Sequence, residues 1–258
     1  MPPIRDQAIV LRHWEYSETS QTASLFTREH GLLRGLAKGS RRDRGSFCGG
    51  FEGLTRGEIG ATVRPNSELA TLTDWDLQEV FWSARRDLAA HLAGMYVVDL
   101  LHHVLRPLDA HPSLYDRAVD ALRAMDDTPG IPATVLRFQW VLAEETGFQP
   151  RLTENDADLV PSTDAKARLF SPTQGGVVSD AADGEAWKVR PETLGLLIAL
   201  KRGEPPTTAE RAVVLRASRL LGAYWHIVLE RELTTHEAYA AQVGAPARAQ
   251  TVQSGQRG

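Results

Sequence analysis

Apolar positions follow two different rhythms along the chain. From Gln7 to about Leu77 they form short runs broken by turn residues, and from about Gln78 onward they recur at helical spacing. The first run, Ala8 to Tyr16, opens with four consecutive apolar residues and then alternates, as expected of a strand crossing a small barrel. Ser17-Glu18-Thr19-Ser20 turns the chain into a second strand, Gln21 to Thr27. Arg28-Glu29-His30-Gly31 links that strand to a third, Leu32 to Ala37. A long irregular stretch, glycine-rich from Gly45 to Gly53, precedes Leu54 to Arg64 and Glu68 to Leu77. Five short strands with the long interruption after the third predict a Greek-key barrel of the OB type.

The rest of the pattern predicts an all-helical C-terminal domain, so the fold class is α+β. One helix runs through Leu88, Leu92, Met95, Tyr96, Leu100 and Val104 until Pro107 stops it. Pro112 and Pro132 open two more, the second ending at Gly147, and helix returns at Pro191 to Leu200 and Glu210 to Arg231. Asn155 to Ala186 reads as polar and irregular, and the segment from Ala240 to Gly258 reads as a disordered tail. The expected division is therefore a barrel over 1–78, a helical domain over 79–239 with an irregular insert at about 151–187, and a tail over 240–258. Trp82, Trp140 and Trp225 fall on apolar helix faces and are expected in the core.

Composition narrows the function classes. The 258 residues are 42% hydrophobic and 24% charged, the balance of a soluble globular protein. No stretch approaches the ~20 apolar residues of a membrane span, so no membrane association and a cytoplasmic address are expected. A lone cysteine, Cys48, leaves no intramolecular disulfide and no multi-cysteine metal site. The formal net charge is −4, so any hold on nucleic acid has to come from a local patch.

One segment has that character. Between Gly31 and Gly45 stand Arg34, Lys38, Arg41, Arg42 and Arg44, with Asp43 the only acid, interleaved with glycines that let backbone N–H groups approach an anion. The planar guanidinium fork suits phosphate, and these five cations are the candidate DNA contacts. A solvated turn is the alternative. Trp14 and Tyr16 share a strand face by parity and, with Phe26, either stack on bases or fill the barrel core. Lys38-Gly39-Ser40 lacks the spacing of a phosphate loop, and His102-His103 lacks that of a zinc-protease motif, so one histidine is expected to pack and the other to be solvated. No Gly-x-Ser-x-Gly elbow or paired acid and base stands out, and no enzyme chemistry or cofactor is expected.

The order Ala8-Ile9-Val10-Leu11-Arg12, Tyr16-Ser17-Glu18, Leu25-Phe26-Thr27-Arg28-Glu29-His30-Gly31 and Ala37-Lys38-Gly39-Ser40-Arg41-Arg42 resembles the RecO family of recombination mediators. So do Glu145 to Leu152 and Phe170 to Val177 in the helical half. The resemblance implies an OB fold joined to a helical domain that binds single- and double-stranded DNA and anneals complementary strands. It also implies RecR and the C-terminal tail of the single-strand-binding protein as partners, and help in loading RecA. An apolar groove with a basic rim drawing on Arg117, Arg123 or Arg137 is expected for that tail. A helical protein-interaction adaptor whose barrel no longer binds DNA is the rival reading, and an unrecognised hydrolase a more distant one.

Many members of that family carry a four-cysteine zinc site in the insert. The matching positions here are Asn155, Asp158, Ser179 and Ala182, none of them a thiolate. Elemental analysis of the purified protein is expected to find no stoichiometric zinc, and chelators to leave its melting temperature unchanged. One zinc per chain would overturn that expectation.

Overall fold

A computed structural model describes residues 3–42, 45–47, 49–64, 67, 69–127, 129–152, 168–179 and 186–244. Strands β1 (Ile4–Ser17), β2 (Ser20–Thr27), β3 (Gly31–Ala37), β4 (Thr55–Thr62) and β5 (Ala70–Val80) close into a barrel in the order β1-β2-β3-β5-β4. All neighbouring pairs are antiparallel except β3 with β5, as the long connection after β3 allows. The helical region comprises α1 (Ser83–Arg86), α2 (Leu88–Val104), α3 (Pro112–Arg123), α4 (Ile131–Glu145), α5 (Pro191–Lys201), α6 (Arg211–Val228) and α7 (Thr234–Gly244). The expected architecture of barrel followed by helices is present.

Three details differ from the expectation. The helical region is not purely helical, because β6 (Arg168–Ser171) and β7 (Gly176–Val178), inside the span read as irregular, form a small antiparallel sheet with β8 (Trp187–Val189) at its end. Strands this short carry too few positions to show alternation, and they are held from outside by Phe170, Val177 and Val189 packing on Tyr224 of α6. Residues 240–244 continue α7 instead of beginning a tail, with Val243 buried against the core. Trp82 is exposed, with the Arg85 guanidinium 5.8 Å from its ring, whereas Trp140 and Trp225 are buried as expected.

The barrel buries residues on both sides of its β1-β2-β3 wall. Ala8, Val10, Ala23, Leu25 and Leu33 point inward with Phe47, Phe51, Ile59 and Trp75. Ile9, Leu11, Phe26 and Leu32 point outward into the main helical core around α2. A strand covered on both faces has no reason to alternate, which explains the continuous run Ala8 to Leu11. Beyond Leu11 the strand passes the edge of the helical region, and His13 to Ser17 are exposed.

Helix α2 is the axis of this packing. Asp87 caps it, its carboxylate accepting from the Ala89 and Ala90 amides at 2.8 and 3.1 Å. The segment after it is welded to the barrel: Leu32 N–H donates to Arg106 O, and Leu108 N–H donates to Leu32 O. Gly31, in the left-handed region at φ 68°, lets that segment approach, since a Cβ there would run into the Asp109 backbone. Arg28 adds a bidentate bond to Asp116 of α3, at 3.0 and 2.9 Å.

Phe26 is fully buried and meets Tyr115 of α3 edge-on at 5.5 Å between ring centroids. It therefore joins the two regions and cannot stack on a base, which removes it from the aromatic candidates. Phe26→Ala is expected to destabilise the protein by about 3–5 kcal/mol and to lower the unfolding midpoint of barrel and helices together. Denaturant melts followed by circular dichroism and by tryptophan fluorescence would check this, and separate midpoints would contradict a shared core.

Candidate nucleic-acid interface

The end of β1, His13 to Ser17, is exposed, and beside it the β1-β2-β3 ribbon exposes Arg34 of β3 and part of Thr22 and Leu36, the rest of β2 being buried. The ribbon's registers place Arg12 opposite Ser24, and Ser24 opposite Arg34; the next rung is Trp14, Thr22 and Leu36. Side chains two apart on a strand share a face, so Arg12 and Trp14 lie on one side of β1, the side that also carries Arg34 of β3, while Tyr16 sits at the irregularity between Glu15 and Ser17. Trp14 is 46% exposed and Tyr16 64%. Trp14 and two arginines thus stand on one sheet face with the exposed Tyr16 near its end, and aromatics beside cations are able to hold bases and phosphates together.

The end of α2 closes the lower edge of this face. His102 is buried, its Nδ1 3.0 Å from the Ser24 hydroxyl and its ring 6.1 Å from that of Trp14. His103 lies beside it, with ring nitrogens 3.2 and 3.4 Å from Arg231 Nη1 and one 3.5 Å from Arg12 Nη2. Both histidines are therefore sheltered, against the expectation of one packed and one solvated. Arg12 forms an ion pair with the buried Asp99 carboxylate, which also accepts from the Thr235 hydroxyl at 2.6 Å. Around this one acid stand Arg12, Arg34 and Arg231 with the two imidazoles.

That setting shifts the histidines. Burial, followed by the charges of Arg12, His103 and Arg34, pushes His102 down to about 4. His103 is also lowered, chiefly by burial, although Asp99 opposes the shift. Both are neutral at pH 7, so the positive charge of the site resides in the guanidinium groups.

The loop after β3 is built, not slack. Gln21, buried on β2, accepts from the Ser40 hydroxyl at 3.1 Å and from the Phe51 amide at 3.0 Å. Gly39, at φ 71°, turns the chain while its amide donates to the Ser20 hydroxyl. Phe47 and Phe51, from the same loop, are buried in the barrel core. Together these contacts hold Lys38, Arg41 and Arg42 at the surface.

The candidate cations do not all share one role. Arg34, Lys38 and Arg42 are exposed and make no ion pair with described residues. Arg41 is paired with Glu15 at 2.8 Å, on the strand face opposite Trp14. Arg44 lies outside the described residues, as do Asn155, Asp158 and Ala182 of the insert. Sequence reasoning missed Arg12, Arg231 and the histidine pair as neighbours of Trp14. Arg12 had signalled its difference by ending an apolar run, but its partners are far away in the chain.

Among the described residues no group of three or more acidic, histidine or cysteine side chains could hold a metal ion, and no helix is long and apolar enough to cross a membrane. Elsewhere, a cavity of about 160 Å³ between α3 and α4 is lined by Arg117, Arg137, Phe138, Val141 and Asp120. Arg123, read as part of such a rim, is instead held by Glu79 of β5 in two bonds of 2.7 Å. Those bonds keep the Glu79 carboxyl below its ordinary range.

Comparison with known proteins matches the barrel and the helical region each to a family model. The family described as recombination protein O, N terminal, matches residues 1–81, and its C-terminal counterpart matches residues 85–237. A protein of Myxococcus xanthus named DNA repair protein RecO is 28% identical over 242 residues, covering 93% of this chain and 97% of that protein. A protein of the same name from Rhodopirellula baltica is 32% identical over 176 residues, 67% of this chain but only 64% of that protein's length. A third, from Geobacter sulfurreducens, is 33% identical over 149 residues, 58% of this chain and 60% of its own.

Lowered histidine pKa values make stability depend on pH. The unfolded chain binds a proton at His102 near the ordinary value of about 6.5, while the folded protein resists it down to about 4. Stability from the neutral imidazole is therefore complete above pH 6.5 and declines progressively as pH falls toward 4. Urea melts at pH 7 and pH 5 should show the folded state weaker at pH 5, with a smaller difference in His102→Asn. An equal difference in the variant would place the titration elsewhere.

Proposed function

The chain belongs to the recombination protein O family of DNA repair proteins, and on that premise we propose that it is a non-enzymatic recombination mediator. In this reading it binds single- and double-stranded DNA, anneals complementary strands and, with RecR, helps load RecA on strands coated by single-strand-binding protein. The observation that carries the reading is the β1-β2-β3 face, where the exposed Trp14 stands with Arg12, paired with Asp99, and with Arg34, which has no ion pair among the described residues, and where Tyr16 is exposed near the end of β1.

Arg34, Lys38 and Arg42 hold phosphates, and the two aromatic rings accept bases by stacking, which every base permits. Such a hold does not read sequence. A strand held by its backbone and part of its base stack can present its remaining base edges to a complementary strand, so annealing needs no chemistry from the protein.

The α3–α4 cavity suits the tail of the single-strand-binding protein, an acidic segment with an apolar end. Phe138 and Val141 offer an apolar floor, and Arg117 and Arg137 project beside it with no described ion pair, Asp120 being the one acid in the lining. This site is separate from the barrel face.

Three phosphate contacts to a single strand give a logarithmic salt slope of about −2, at roughly 0.7 per contact. Titration of a labelled oligonucleotide at several salt concentrations should therefore show Arg34→Ala with Lys38→Ala binding all sequences more weakly, with the slope reduced by about 1.4. Unchanged affinity and slope would leave the adaptor reading in its place. Arg137→Ala should weaken binding of the tail peptide about tenfold or more while leaving DNA affinity unchanged. A parallel loss of both would mean one shared basic surface.

A further inference from the structure

A second basic cleft lies on the helical region, between β8, the start of α5 and one face of α6. It encloses about 330 Å³, about twice the volume of the α3–α4 cavity. Its floor is apolar, formed by Trp187, Val189, Leu220 and Ala223, and around it stand Lys188, Arg190, Arg216 and Arg219. Among the described residues no carboxylate is in the lining, although the protein as a whole carries a net charge of −4.

The four cations are not consumed internally. None of them has an ion pair among the described residues, and the Nε of Arg216 is buried without a hydrogen-bond partner. The Arg219 guanidinium lies close to Gly244 at the end of α7, where a Cβ would meet it. The first turn of α5 adds to the field, since its N-terminus, with Arg190 at the cap, borders the same space.

We propose that this cleft is a second binding site for the sugar-phosphate backbone of single-stranded DNA, separate from the barrel face. The inference rests on the reading of the chain as a DNA-binding mediator and adds to it a place for another stretch of strand. A nucleic-acid backbone fits better than an acidic peptide for two reasons. Three of the four cations are arginines, whose planar forks match phosphate oxygens, and an acidic tail with an apolar end already has a narrower, less charged cavity between α3 and α4. The half-covered Trp187, stacked on Phe170 at 5.9 Å, offers its free surface to a base. With one strand on the barrel and another here, a single molecule would hold two strands to be paired.

The test uses the full-length protein with Lys188→Gln and Arg190→Gln, two exposed positions outside the core. Binding of a labelled oligothymidylate is measured in the parent, in this cleft variant, in the barrel variant Arg34→Ala with Lys38→Ala, and in the combination. Melting temperatures control for folding. The expected result is residual DNA binding by the barrel variant that falls at least tenfold further when the cleft changes are added, the salt slope dropping by about 1.4 because two phosphates are no longer neutralised. A cleft variant that leaves DNA affinity and slope unmoved in both backgrounds overturns the proposal. Loss of acidic-peptide binding with DNA binding intact also overturns it, in favour of a protein partner. A parent that binds no oligothymidylate overturns the mediator reading and this inference together, whereas DNA binding abolished by the cleft changes alone overturns only the barrel site.

Discussion

A single buried carboxylate organises the junction between barrel and helices. Asp99 lies one turn before the end of α2, and it meets Arg12 from β1, Thr235 from α7 and His103 from its own helix. Left without partners, a charge so deeply enclosed would cost several kcal/mol, so the position is tolerable only if strand, helix and α7 all arrive together. The consequence reaches the surface. Holding Arg12 on Asp99 fixes the guanidinium at the base of the open ribbon, and the excess of cations around one acid helps keep the imidazoles neutral. The candidate interface thus depends on packing that is itself internal.

The same junction explains what the sequence could and could not reveal. Five strands were legible because their apolar runs are short and bounded by turn residues, and the longer helices because their periodic faces are opened by Pro112, Pro132 and Pro191. Strand parity, however, says which residues share a face and not what covers that face. Phe26 and Trp14 look equivalent on that ground, yet Phe26 meets Tyr115 under the helical region, while Trp14 lies beyond its edge. The short strands β6 to β8 were illegible for a related reason, since their order comes from Tyr224 on a distant helix.

Charge shows a similar limit. The basic run from Arg34 to Arg44 is conspicuous because its members are adjacent in sequence, but adjacency overstated its unity: Arg41 turns to Glu15 on the opposite face. The cluster of Arg12, His103 and Arg231 is invisible in the chain because folding assembles it from β1, α2 and the α6–α7 turn. The cations beside the ribbon come from two sources, a loop and a junction, and that patch has a local character that the overall acidic charge hides. The buried Gln21, bonded to Ser40 and Phe51, keeps the loop part of that patch in place beside the ribbon.

The central claim is that a single strand lies across the open β1-β2-β3 face with its bases against Trp14 and Tyr16. Photocrosslinking a strand carrying 5-iodouracil to the full-length protein, followed by mass-spectrometric mapping of the attached peptides, tests it most directly. Crosslinks to Trp14 or Tyr16 are the predicted result, and they should vanish in Trp14→Ala with Tyr16→Ala. Efficient crosslinking with no adduct between residues 12 and 38 would contradict it.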